Sequence, residues 1–183
     1  FTGNYDAKLY DTNGYEVYLN YVESTAEQGT IEWATANPTS LIKGSVDNGY
    51  DWLYANYDNE LWSADSKTEY DPCPAGWRVA PPTLYRTIVK LLDKTTTTCY
   101  TITFDNGTKA YYPFTDRLTA SGTLSGSSGG YLWTNSNYIS QSSKTLNGTY
   151  FQYSKNNTSS FSGSGSKISG SKTYGQNVRC VAE

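Results

Sequence analysis

The sequence predicts an α+β fold of short antiparallel strands, one main helix and long loops, folded as a single domain over residues 1–183. Three observations predict it. The composition is aromatic yet polar: aromatic residues reach 15% with 18 Tyr and 5 Trp, while charged residues make up only 17%. Tyr, Trp and Thr pack well on pleated surfaces, so this balance suits strands joined by many loops. One stretch, residues 81–94, repeats its apolar positions with helical spacing. Elsewhere, short extended runs alternate with Asn, Gly, Pro and Ser turn signals.

Taken in order, residues 1–30 form an N-terminal strand segment. Within it, Tyr15, Val17, Leu19 and Tyr21 alternate at period two and predict one strand with these side chains on one face. Asn37-Pro38 and the Asp-Asn-Gly at 47–49 are turn signals. Residues 50–62 are dense in aromatics, with Trp52, Tyr54, Tyr57 and Trp62. The run DPCPAGW at 71–77 is a rigid turn, because two prolines flank the cysteine and fix the backbone. Pro82 or Thr83 starts the helix, with Leu84, Ile88, Leu91 and Leu92 on one face. Residues 95–104 read as a β-branched strand closed by the Asp-Asn-Gly turn at 105–107, and KAYYPF is another extended run. Residues 121–130 are Gly/Ser-rich loop, YLWTNS is a strand entering a loop, and 154–173 is a polar surface loop before the final strand NVRCVAE.

Several functions are disfavoured by composition. The net charge of −3 and a pI of about 5.0 leave no basic patch for nucleic acid. No stretch is long and apolar enough to span a bilayer. The chain opens at Phe1 and contains no Met, as expected of a processed or excised piece from which any export signal would have been removed. It contains no His, and Cys73, Cys99 and Cys180 lack CxxC spacing, so no metal site and no cofactor is expected. Three cysteines are most simply one bridge and one thiol.

The segments ANPTSLIKG, DWL, LW, YDPCPAGWRVAPPT, YLWTNS and the terminal NVRCVAE together resemble one family. It is the domain associated with the Fibrobacter major paralogous proteins and with fimbrial tip proteins of Bacteroides-type bacteria. The resemblance runs from about residue 30 to the end; RVAPPT departs from the family's more usual RVPT. It implies a C-type-lectin-like fold and an extracellular location on the bacterial surface or a pilus. It also implies a Cys73–Cys180 disulfide that ties the helix-proximal turn to the last strand, leaving Cys99 as a small buried hydrophobe. The family has a relative in the formylglycine-generating enzymes. With no His and with two of three cysteines bridged, an enzyme of that type is disfavoured, and the expected chain is not an enzyme.

Animal C-type lectins often hold a sugar-binding calcium with a Trp-Asn-Asp triplet. Here Trp133–Ser136 reads WTNS, the Asp is missing, and after Asp116 the only acid is Glu183. No calcium is expected there, since carboxylates supply most of the affinity for a hard cation. The acids at 47–51 are read as a turn. Trp33, Trp52, Trp62, Trp77 and Trp133 could form a sugar platform or a core; Trp77, beside Cys73, is assigned to the core and Trp133 suits either. The sequons at Asn106, Asn147 and Asn156 are read as turns. Arg179 is read as structural, and Arg78, Arg86 and Arg117 as scattered single charges.

Residues 131–177 mix Tyr, Asn, Ser, Thr, Gly and Gln with interspersed aromatics, including Phe161. Such mixtures provide adaptable contact surfaces. In lectin-like folds this region faces the ligand, and the same bias marks lectin-fold proteins diversified by retroelement mutagenesis. The expected ligand contacts are Trp133, Asn135, Asn137, Tyr138, Tyr150, Gln152 and Tyr153, all presented from loops. The expected function is an adhesin domain that binds a host or bacterial surface protein or a glycan. The alternative is a structural pilus subunit whose partners are other subunits.

Overall fold

The computed structural model describes residues 9–44, 51–55, 61–93, 99–115, 117–125, 129–139, 146–154, 169–170 and 172–183. The turn expected at 47–49, Tyr57, the run 94–98, Asp116, Asn156 and Phe161 lie outside them, as do the side chains of Tyr138 and Asn147.

The elements are β1 (Leu9–Tyr10), β2 (Glu16–Val17), β3 (Asn20–Glu23), α1 (Ile31–Ala36), β4 (Ser40–Lys43), β5 (Trp77–Val79), α2 (Pro82–Ile88), β6 (Cys99–Thr103), β7 (Lys109–Pro113), β8 (Arg117–Leu118), β9 (Leu124–Ser125), β10 (Gly129–Ile139), β11 (Leu146–Ser154), β12 (Ser169–Gly170) and β13 (Cys180–Ala182). Among the described residues they form an α+β arrangement of six small sheets, five two-stranded and one three-stranded. No helix among them is long and apolar enough to cross a membrane.

The central element is the antiparallel β10–β11 hairpin, with β12 added at the edge of β11. It agrees with the strand read at YLWTNS and corrects the reading of the described residues that follow, up to 154, as loop. Along β10, Leu132, Trp133, Thr134 and Asn135 are all buried; along β11, Thr149, Tyr150, Phe151 and Tyr153 are. Helix α2 packs on both strands, and the Tyr85 ring stacks on Phe151 at 4.9 Å. The β6–β7 hairpin completes the core with Tyr100, Ile102 and Tyr112. Its turn follows the sequence signal: Gly107 has φ 80°, and the Asn106 carboxamide oxygen accepts from the Thr108 N–H.

Four tyrosines, Tyr85, Tyr100, Tyr112 and Tyr153, stand in this core, and two of their phenols close backbone acceptors. Tyr153 donates to the Pro113 carbonyl at 2.6 Å and Tyr100 to the Ser154 carbonyl at 2.5 Å. A buried Tyr supplies apolar area while its hydroxyl closes a backbone acceptor, which is how so polar a chain fills an interior.

Strand β13 pairs with β5, and Cys73 is bridged to Cys180 with Cα atoms 5.7 Å apart. The knuckle before β5 is organised by Asp71, which accepts from the backbone N–H of Cys73 and of Val79 and from the Lys67 ammonium. Burial pushes the Asp71 carboxyl up, but these donors outweigh it and leave the group below its usual value.

Other expectations need correction. The N-terminal run is two short strands broken at Tyr18-Leu19; Tyr15 and Tyr18 are 73% exposed, because β2 pairs with β1 while β3 pairs with β4. That β3–β4 pair is parallel, and β10 and β11 are 11 and 9 residues long, so the strands are neither all antiparallel nor all short. Helix α2 ends at Ile88, Leu91 is exposed, and the buried anchor is Tyr85. Within 121–130, Gly122 closes a β8–β9 turn at φ 78°. Trp77 is 47% exposed on the two-stranded β5–β13 sheet and is not core. Cys99 lies outside the bridge and is half-buried.

Candidate functional site

A cleft of about 460 Å³ opens beside the hairpin, where α1, the segments around Trp52 and Trp62, the hairpin and Lys172 meet. Its aromatic lining is Trp52, Trp62, Tyr70 and Trp133; Thr134, Asn137 and Lys172 supply polar groups.

The first wall is α1. Thr30 caps it by accepting from the Trp33 N–H at 3.1 Å, and the Asn37 side chain closes its end on the Trp33 carbonyl. Ile31, Ala34 and Thr35 then share the face turned to the cleft. The second wall is the loop carrying Trp52 and Leu53. The Ser24 hydroxyl donates to the Trp52 carbonyl at 2.9 Å, and the Tyr54 N–H donates to the Gly29 carbonyl at 2.9 Å. A Cβ on Gly29 would stand 2.7 Å from both Ser24 Oγ and Tyr54 Cβ, so only glycine allows this approach. Asp51 fixes the base of the loop by an ion pair to Lys172 at 2.7 Å, with side chains only 3% and 13% exposed. Burial raises the Asp51 carboxyl above its usual value, and the Lys172 ammonium and the N–H groups of Leu53 and Trp52 offset part of that rise.

The third wall is the loop of Leu61, Trp62 and Tyr70. The Trp62 indole N–H donates to the Tyr70 carbonyl at 3.0 Å, and the Thr68 hydroxyl donates to the Leu61 carbonyl. Lys67 ties this loop to the disulfide knuckle through Asp71 and the Cys73 carbonyl at 2.6 Å. The bridge thus anchors a cleft wall as well as the strand pair.

The floor comes from an irregularity in the central hairpin. Trp133 faces Tyr150 and Asn137 faces Gly148, so three residues of β10 oppose one of β11. Thr149 stitches this bulge: its hydroxyl pairs with that of Thr134 and donates to the Ser136 carbonyl at 2.6 Å. Bulges re-aim side chains where function needs it. Here both flanking residues, Trp133 and Asn137, line the cleft. Gly148 makes room for the Trp133 indole, since a Cβ there would lie 2.8 Å from its ring. Tyr150 backs that indole edge-on at 5.8 Å and is held by the Arg117 guanidinium, which lies 4.4 Å from Tyr131 and 4.5 Å from Tyr174.

Of the expected contacts, Trp133 and Asn137 are brought together at the cleft. Tyr150, 8% exposed, stands behind Trp133. Tyr153 and Asn135 are 3% and 1% exposed, and their placement on a ligand-facing loop is corrected: both belong to the hairpin interior, and the Asn135 carboxamide has no hydrogen-bond partner among the described residues. Gln152 is half-buried opposite Tyr131, away from the cleft lining. Tyr138 continues β10 past the bulge, paired with Asn147. Arg179 is structural, donating to the Tyr111 carbonyl and lying 4.4 Å from the Tyr112 ring. Sequence reasoning weighed Trp52 and Trp62 as a platform but missed Tyr70, Lys172 and the face of α1.

Chemically, the cleft offers aromatic surface, an amide, hydroxyls and one neutralised ammonium; no Asp, Glu or Cys is among its described lining residues. The chain matches no protein-family model, no curated protein and no solved structure.

Proposed function

We propose that this chain is a non-enzymatic recognition domain of a bacterial surface or pilus-tip protein, with a C-type-lectin-like architecture, that binds an extracellular glycan or protein. The observation that carries the reading is the cleft where Trp52, Trp62 and Trp133 converge from three separate segments. Two half-buried indoles, Trp52 and Trp62, set against the buried Trp133 and beside a few polar groups are the composition of ligand sites, not of passive loops. The lining lacks an acid–base pair or nucleophile with an adjacent base among its described residues, and the sequence has no His, which favours binding over turnover. The Cys73–Cys180 bridge suits an oxidising, exported setting.

The test is binding of the purified domain to arrayed glycans and to arrayed host and bacterial surface proteins. Saturable binding by a monomer supports the reading. A domain that polymerises or accepts a donor strand and captures no arrayed ligand is a structural subunit, and the proposal falls.

A further inference from the structure

The cleft's size, lining and charge select among ligand classes. We propose that it takes a short neutral oligosaccharide, held by stacking and amide hydrogen bonds without a bridging metal ion; this rests on the recognition reading above.

Size comes first. A concave volume of about 460 Å³ falls within the ~300–1,000 Å³ of small-ligand sites, whereas a protein partner needs a broad surface of roughly 800 Å² per side. Polarity is second. The half-buried indoles of Trp52 and Trp62 stand with the Asn137 amide along the cleft. A pyranose matches this combination, since its faces carry weakly positive C–H groups that suit the negative face of an aromatic ring. Its rim carries hydroxyls that donate and accept, as an amide does. A purely apolar ligand would strip water from these polar groups without replacing it.

Charge is the third argument. Lys172 is the one formally charged residue among the described lining, and the Asp51 carboxylate lies 2.7 Å from its ammonium, itself buried. A sialic acid or sulphate would have to compete with Asp51 for that ammonium, and an amino sugar would meet no carboxylate in the described lining. A neutral sugar disturbs neither group. The same lack of lining carboxylates argues against a metal-bridged sugar, because hard cations draw their affinity from such oxygens.

The experiment is an array of immobilised glycans ending in neutral hexoses or N-acetylhexosamines, printed beside sialylated and sulphated glycans and deglycosylated proteins. Wild-type domain and the Trp62→Ala and Asn137→Ala variants are compared, each with its thermal melt. We expect binding to neutral glycans, unchanged by EDTA, with at least about a tenfold loss (~1.4 kcal/mol) in Trp62→Ala and a several-fold loss in Asn137→Ala. Should Trp62→Ala fail to fold, Asn137→Ala carries the test. Binding confined to sialylated or sulphated glycans, loss of binding in EDTA, or wild-type affinity in a folded variant would overturn the inference. Capture of deglycosylated protein alone also overturns it while leaving a recognition domain standing. Capture of nothing on the array overturns both.

Discussion

Replacing Tyr153 separates a core role from a binding role. The ring is 3% exposed, tilted against Phe151 at 5.4 Å and edge-on to Tyr112 at 6.2 Å, and it lies over Gly130, where a Cβ would come within 2.0 Å of it. Its hydroxyl donates to the Pro113 carbonyl. Tyr153→Phe keeps the packing and removes that bond, so it should cost about 1 kcal/mol, the net worth of one hydrogen bond. Tyr153→Ala also opens a ring-sized cavity, and large-to-small aromatic changes in cores cost roughly 3–5 kcal/mol. For a chain of this length that lowers Tm by on the order of 10 °C. Urea denaturation of the three proteins, read by tryptophan fluorescence, gives the two differences directly, with equal m values confirming comparable unfolding. A Tyr153→Ala cost below about 1 kcal/mol would show that the ring is not part of the packed interior, and the account of the hairpin as core would fail.

Three further outcomes are expected. Cys73→Ser with Cys180→Ser releases a 107-residue separation, and the loop-entropy relation then gives about 4.8 kcal/mol of lost stability; denaturation in matched buffers checks it, and a loss under about 1 kcal/mol contradicts it. Asp71 sits below its usual 3.8, so it contributes stability that is present above pH 3.8 and is lost as pH falls through the lowered folded value. Asp71→Asn should therefore be destabilised at neutral pH yet show a shallower loss below 3.8 than wild type in melts across an acid series; parallel curves refute this. Gly148→Ala places a methyl 2.8 Å from the Trp133 ring, so it should shift tryptophan emission and weaken ligand binding more than it lowers Tm; unchanged emission and affinity would show that the indole does not rest on Gly148.

How much of this was legible depended on whether a feature is local. The helix start at Pro82 and the Asp-Asn-Gly turn at 105–107 are fixed by a few consecutive residues, and both stand where the sequence puts them. The Cys73–Cys180 pair was legible through the family resemblance, and the two sulfurs are bridged. The β10–β11 hairpin was not legible as core, because period-two alternation signals a strand only when one face meets water. Here consecutive residues 132–135 are all buried, and two of them, Thr134 and Asn135, are polar, as is the buried Thr149 on β11. Tyrosine compounds the difficulty, since its hydroxyl reads as surface while Tyr85, Tyr100 and Tyr153 are interior. The converse error lies at the N-terminus, where clean alternation from Tyr15 to Tyr21 marks no buried face.

The cleft was illegible for a different reason, and that reason bears on how it works. Trp52, Trp62 and Trp133 share no period; what joins them is a set of long-range ties. Asp51 reaches Lys172 across 121 positions, Ser24 reaches the Trp52 carbonyl across 28, and Lys67 hands the Trp62 loop to the disulfide knuckle. Each tie is made by a side chain outside the aromatic surface or at its edge. The indoles themselves are therefore held from behind, which is the arrangement that limits the entropy lost when a ligand is bound. The same separation of tasks leaves lining positions such as Asn137 free of any role in the Thr134–Thr149 stitch or the Asp51–Lys172 pair. Under the proposed recognition role, ligand preference would change through lining positions such as Asn137, while the bulge, the Asp51–Lys172 pair and the bridge keep the walls in place.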